Sequence, residues 1–165
     1  MPTVKDSRNL PVSVLLIDDE RDYVNVLSNR LSKRGFDVGK ANSGSEAFQI
    51  LRQRGFDVAI LDLKMTDIDG IEVLKILKKM APELVVIMLT GHGSAEAAHE
   101  GIRQGAYDYL TKPCELDELI QKIMEAYDKR PALSRVVQLR PTKHRFWFHV
   151  LYPFRHDDNR AEMNR

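Results

Sequence analysis

A chain of 165 residues with 43% hydrophobic and 30% charged residues has room for one domain and a modest appendage, and this composition excludes a disordered, collagenous or repeat-built polymer. Its single cysteine, Cys114, excludes an intramolecular disulfide and a cysteine-based zinc cluster and suits the cytoplasm; the polar start and the absence of a long apolar run argue against a secretion signal or membrane span. The net charge of +1 conceals a division, because residues 1–128 hold 16 basic against 21 acidic residues and residues 129–165 hold 9 against 3. The expected organisation is an N-terminal extension over 1–10, a domain over 11–130 and a basic aromatic tail over 131–165.

Along the chain, Val12 to Ile17 form an apolar run broken only by Ser13, which predicts a strand covered on both faces. Val24, Leu27 and Leu31 follow at helical spacing, and Gly35 stands where a left-handed residue closes a helix. A weaker strand is expected over Phe36 to Ala41 and a helix over Ser45 to Arg54, closed by Gly55. Val58 to Leu61 repeat the buried-strand pattern, a helix is expected over Gly70 to Met80, and Leu84 to Leu89 give the next buried strand. Then come a helix over Ser94 to Gln104 closed by Gly105, a weaker strand over Ala106 to Leu110, and an apolar stripe from Leu116 to Tyr127. Five strand–helix units predict an α/β fold: a parallel sheet with helices on both faces, right-handed crossovers, and a ligand site beyond the carboxyl ends of the strands.

Those ends carry polar groups. The first strand runs into Asp18, Asp19 and Glu20, the third into Asp62, the fourth into Thr90, and the fifth is followed by Lys112 and Pro113. Taken singly, each has a bland role as a helix cap, a loop opening or a solvated lysine. Taken together, Asp18, Asp19 and Asp62 converge on one pocket if the first and third strands are neighbours. Two like charges about 4 Å apart repel by roughly 4 kcal/mol at an effective dielectric near 20. Lys112 supplies one balancing charge, and the remainder suits a hard divalent ion such as Mg²⁺.

Four segments, LLIDDE from Leu15, LDLKMTDIDGIEVL from Leu61, MLTGHGS from Met88 and GAYDYLTKP from Gly105, resemble the receiver domain of two-component response regulators. The resemblance implies the flavodoxin-like strand order 2-1-3-4-5. It implies that Asp62 is the phosphoacceptor, charged by a sensor histidine kinase. Asp19, Asp62 and the backbone carbonyl of Lys64 would then ligate Mg²⁺ directly, with Asp18 acting through water. Thr90 would bind the phosphoryl oxygens, Lys112 would pair with the acyl phosphate, and Tyr109 would change rotamer with Thr90. The chain departs from the pattern at Thr66, where proline is usual and its loss predicts a looser loop, and at Cys114, read as a buried spacer. Lys64 and His92 occupy positions that tune access of water to the acyl phosphate, and the long Lys64 side chain predicts slow self-hydrolysis. Lys64 also stands where a phosphatase of the acyl-aspartate type would carry its second aspartate, which argues against that activity and against an enzyme in the ordinary sense. The rival reading is a receiver-like scaffold that acts unphosphorylated.

Residues 131–165 are short for the output domains common beside receivers, so a stand-alone receiver that contacts an unidentified downstream protein is expected. Within them Phe146 to Phe154 is nearly all apolar, with Lys143, His144 and Arg145 before it and Arg155 and His156 after. Such a segment suits packing on its own domain or on a second copy, with a homodimer through the tail or the switch face. It also suits a partner groove or an anionic membrane surface, and gives only a weak footprint for nucleic acid.

Overall fold

The computed structural model describes residues 11–91 and 95–130; the N-terminal extension, His92 and the basic aromatic tail lie outside the described residues. The strands are β1 Ser13–Ile17, β2 Asp37–Ala41, β3 Val58–Leu61, β4 Val85–Thr90 and β5 Asp108–Thr111. They alternate with α1 Arg21–Lys33, α2 Gly44–Gln53, α3 Gly70–Met80, α4 Ala95–Arg103 and α5 Leu116–Asp128. All neighbouring strands are parallel, in the order β2-β1-β3-β4-β5. This is the expected flavodoxin-like arrangement.

Period-two alternation distributes each apolar run between two cores. Val14, Leu16, Val58, Ile60, Ile87 and Leu89 pack with residues of α1 and α5, while Leu15, Ile17, Ala59, Leu61, Val86 and Met88 pack with residues of α2 and α3. Fully burying each Leu or Ile contributes about 1.5–3 kcal/mol. The β3 run is wholly apolar because both faces are covered, and the one polar residue of β1, Ser13, stands at its first position.

Two details differ from the sequence reading. Gly35 and Gly105 take positive φ, at 92° and 100°, but α2 ends through an extended Arg54 at φ −150°, so Gly55 closes no left-handed turn. The last strand begins at Asp108 rather than Ala106. Its polar first residue is accommodated because Lys122 of α5 pairs with the Asp108 carboxylate at 2.8 Å.

At the amino edge of the sheet Asp57 is buried just before β3. Its Oδ2 accepts from the Ser13 amide at 2.7 Å and the Ser13 hydroxyl at 2.8 Å, and its other oxygen pairs with the buried guanidinium of Arg130. This clamp ties β1, β3 and the residue beyond α5 together, opposite the carboxyl edge.

Candidate functional site

Backbone pairing continues one residue past the strands and delivers the polar groups to one edge. The Asp18 amide donates to the Ala41 carbonyl at 3.1 Å, the Asp62 amide to the Ile17 carbonyl at 2.9 Å, and the Lys112 amide to the Thr90 carbonyl at 3.0 Å. Because β1 has β2 on one side and β3 on the other, the chain winds outward in opposite directions there, and a crevice opens at the carboxyl ends. The Lys112–Pro113 peptide that follows β5 is cis.

Lys112 is the centre of the pocket. Its Nζ donates to Asp18 Oδ2 at 2.5 Å and to Glu20 Oε1 at 3.3 Å, and lies 3.7 Å from Asp62 Oδ2. On its remaining side the ammonium stands over the Tyr23 ring, 4.1 Å from the centroid. Asp18, Asp62 and Thr90 are all buried. Burial works against the charge on Lys112, but its hydrogen bond to Asp18 and the charges of Asp18 and Asp62 prevail and hold its pKa above the ordinary lysine value. Burial raises the Asp18 pKa against the opposing pull of Lys112. It also pushes the Tyr23 phenol up to about 12, so the phenol stays neutral beside the acids.

The three carboxylates that approach one another within 4.8 Å are Asp18, Glu20 and Asp62. Asp19, expected in the pocket beside Asp18, lies outside this trio. Its Oδ2 instead accepts from the Thr66 amide at 3.0 Å. Successive residues leaving a strand face opposite ways, so Asp18 turns toward Lys112 and Asp19 toward the β3–α3 loop. The sequence placed Glu20 at the strand end without assigning it a role, and it did not single out Tyr23, beside the Val24 stripe; only the return of Lys112 from β5 identifies either.

The β3–α3 loop is not left unrestrained by Thr66. Its amide, which a proline would lack, makes the bond to Asp19, and Asp67 accepts from the Ser45 amide at 3.2 Å and the Gly44 amide at 3.4 Å. Lys64 is exposed, and its amide donates to Asp62 Oδ1 at 3.3 Å. Tyr109 is half-buried on the α2–α3 side of the sheet. Cys114 is also half-buried, and burial pushes its thiol up, away from the thiolate that reactivity requires.

The donor set fits a hard cation: it is all oxygen, and three carboxylates face one ammonium, leaving negative charge in excess. A doubly wound parallel sheet with an acid–lysine pocket at its switch point defines an α/β domain of flavodoxin-like class. More narrowly, the chain belongs to the response regulator receiver domain family, whose pattern matches residues 14–124. It is 37% identical over 108 residues to the transcriptional regulatory protein ZraR of Escherichia coli O157:H7, covering 66% of this chain and 24% of that protein. Among solved structures it is similar to the receiver domain of NtrX from Brucella abortus, with 34% identity, a TM-score of 0.66, and coverage of 70% of this chain and 98% of that one. It is likewise similar to the beryllofluoride-activated NtrC4 receiver domain dimer, with 34% identity, a TM-score of 0.67, and coverage of 70% and 96%. The chain thus spans about a quarter of the length of the curated relatives it matches.

Proposed function

We propose that Asp62 is the phosphoacceptor of this receiver, charged by the phosphohistidine of a sensor kinase. A carboxylate oxygen of Asp62 bonds to phosphorus, the phosphorus–nitrogen bond breaks, and the imidazole nitrogen leaves with the electron pair. The observation that carries this reading is the placement of Asp62: buried, 3.7 Å from the Lys112 ammonium, and one strand away from the buried Thr90. Phosphoryl transfer to a carboxylate is largely positioning plus charge neutralisation. Lys112 supplies one positive charge for the incoming oxygens, and Thr90 supplies a hydroxyl at the same edge.

Magnesium is the cofactor this reading calls for, with Asp18, Asp19, Asp62 and the Lys64 carbonyl as its holders, and Glu20 as a further acid of the trio. When bound, it neutralises the acids and the phosphoryl oxygens together. The bond between Asp19 and Thr66 supports this set, because it already draws Asp19 to the loop that bears Lys64. Thr90 and Tyr109 form the proposed switch. Lys64, exposed beside Asp62, is proposed to slow hydrolysis of the acyl phosphate.

The proposed partners are a sensor histidine kinase and a second copy of the chain, the latter supported by the dimer formed by the NtrC4 receiver. The relatives' names add transcription, to which the tail's composition gave little weight, and a cytoplasmic setting accords with that role. Among the described residues no helix is long and apolar enough to cross a membrane. The test is incubation with Mg²⁺ and acetyl phosphate followed by intact-mass measurement. One phosphoryl group is expected on the wild-type chain and none on Asp62→Asn; equal labelling of both overturns the assignment.

A further inference from the structure

The charged neighbours of Lys112 have been given roles; the aromatic one has not. Lysine is a compact charge on a flexible four-carbon stem. Here the stem carries that charge to three acids at unequal distances, 2.5 Å to Asp18, 3.3 Å to Glu20 and 3.7 Å to Asp62. Electrostatics alone draws the ammonium toward Asp18 and out toward the exposed Glu20. The phosphoryl group, however, has to be met over Asp62.

We propose that Tyr23 is a positioning residue for phosphoryl transfer, its ring forming a platform that keeps the Lys112 ammonium inside the pocket, within reach of Asp62. Three observations support this. The ammonium lies 4.1 Å from the ring centroid, within the range where the ring quadrupole attracts a cation. The Lys112 side chain is only 12% exposed, so water screens the attraction weakly. Tyr23 also lines a small, largely apolar cavity between α1 and the sheet that reaches Asp18 and Asp62, so its ring stands next to the acids that Lys112 serves. A ring has an advantage over a fourth carboxylate here. It attracts the ammonium without repelling an anionic phosphoryl group, and its neutral phenol adds no charge to the pocket. The sequence concealed this role, because Tyr23 stands beside Val24 in a helix that otherwise reads as core.

The inference rests on the phosphoacceptor reading, and its test separates the two. Tyr23→Leu keeps an apolar helix former and removes the ring; Tyr23→Phe keeps the ring and removes the hydroxyl. With acetyl phosphate and Mg²⁺, Tyr23→Leu is expected to lower the maximal rate of phosphorylation about three- to tenfold, with little change in the acetyl phosphate concentration giving half-maximal rate. Tyr23→Phe is expected to recover most of that loss. In a Lys112→Met background, Tyr23→Leu is expected to cost nothing further, since the ring acts through the ammonium. An unchanged rate in Tyr23→Leu overturns the proposal, as does an equal loss in Tyr23→Phe or an additive loss in the double variant.

A second readout needs no phosphorylation. Ring currents displace the Lys112 Hε resonances upfield in wild type and Tyr23→Phe, and the displacement disappears in Tyr23→Leu. Lack of that displacement in the wild type refutes the ring contact itself. Labelling of Asp62→Asn sinks the phosphoacceptor reading and leaves the ring contact standing.

Discussion

Removing one carboxylate from the pocket is expected to stabilise the fold when divalent cations are withheld. Asp18, Glu20 and Asp62 share a single ammonium, and like charges near 4.8 Å repel by about 3 kcal/mol at an effective dielectric of 20. Asp62 meets two such repulsions, from Asp18 and Glu20, and loss of its attraction to Lys112 at 3.7 Å, about 4 kcal/mol on the same scale, offsets most of their sum. Asp62→Asn is therefore expected to gain roughly 1 kcal/mol in urea unfolding with chelator present. Adding Mg²⁺ should raise the wild-type midpoint more than that of the variant, because a ligand that binds only the folded state stabilises it by mass action. A variant that melts below wild type in chelator, or gains equally from Mg²⁺, contradicts the pocket's charge balance. At this scale the sequence showed the residues that end strands, because strand ends are local. Asp18, Asp62, Thr90 and Lys112 were legible that way. The roles of Glu20 and Tyr23 were not, since both depend on where a lysine from the far end of the domain comes to rest. Adjacency in the chain did not show that Asp18 would turn to Lys112 while Asp19 turns to the Thr66 amide.

The junction of β3 with α3 leaves no room for a side chain at Gly70, where a Cβ would stand 2.4 Å from the Leu63 Cα and 2.7 Å from the Asp62 carbonyl oxygen. Since backbone cannot yield as a flexible side chain does, Gly70→Ala is expected to push α3 away from the loop after Asp62. The expected cost is about 2 kcal/mol or more in unfolding, with slower uptake of phosphate from acetyl phosphate; a variant equal to wild type in both rejects the tight contact. Across the sheet, β5 is tied to α5 by Asp108 and Lys122. Burial works against the Asp108 charge, but the Lys122 bond and the Tyr109 amide hold its carboxyl below the usual 3.8. A depressed carboxyl pKa contributes stability above 3.8 that is lost as pH falls through the lower folded value. Wild type should thus exceed Asp108→Asn by about 0.5 kcal/mol at neutral pH, and the gap should close on acidification; a gap that widens in acid refutes the pairing. Element identity was legible because uninterrupted Val, Ile and Leu runs suit only strands covered on both faces. Boundaries were less so: β5 starts on a polar residue because a lysine from the next helix meets it.

The charge division of the chain and the clamp at its sheet base meet at one residue. Lys129 and Arg130 are both basic and open the positive stretch, so composition alone places them with the tail. Lys129 is exposed, but Arg130 is 4% exposed, and its guanidinium is paired with Asp57, which also binds the start of β1 through Ser13. The last turn of α5 is thereby fixed to the two central strands, at the edge opposite Lys112. Removing one partner of a buried ion pair leaves the other charge without compensation, at a cost of about 3 kcal/mol. Arg130→Met is expected to lose that amount. A chain cut after Ala132 should melt close to full length, whereas a chain cut after Lys129 should melt well below it, though it lacks only three residues more. Phosphoryl uptake at low temperature should survive both cuts, because the clamp lies at the far edge from Asp62. If the two truncations melt together, the domain ends before Arg130 and the clamp contributes nothing. If uptake falls only in the shorter chain while it is still folded, the sheet base and the phosphoacceptor edge are mechanically coupled, and the tail leaves the domain at a point that can sense the pocket.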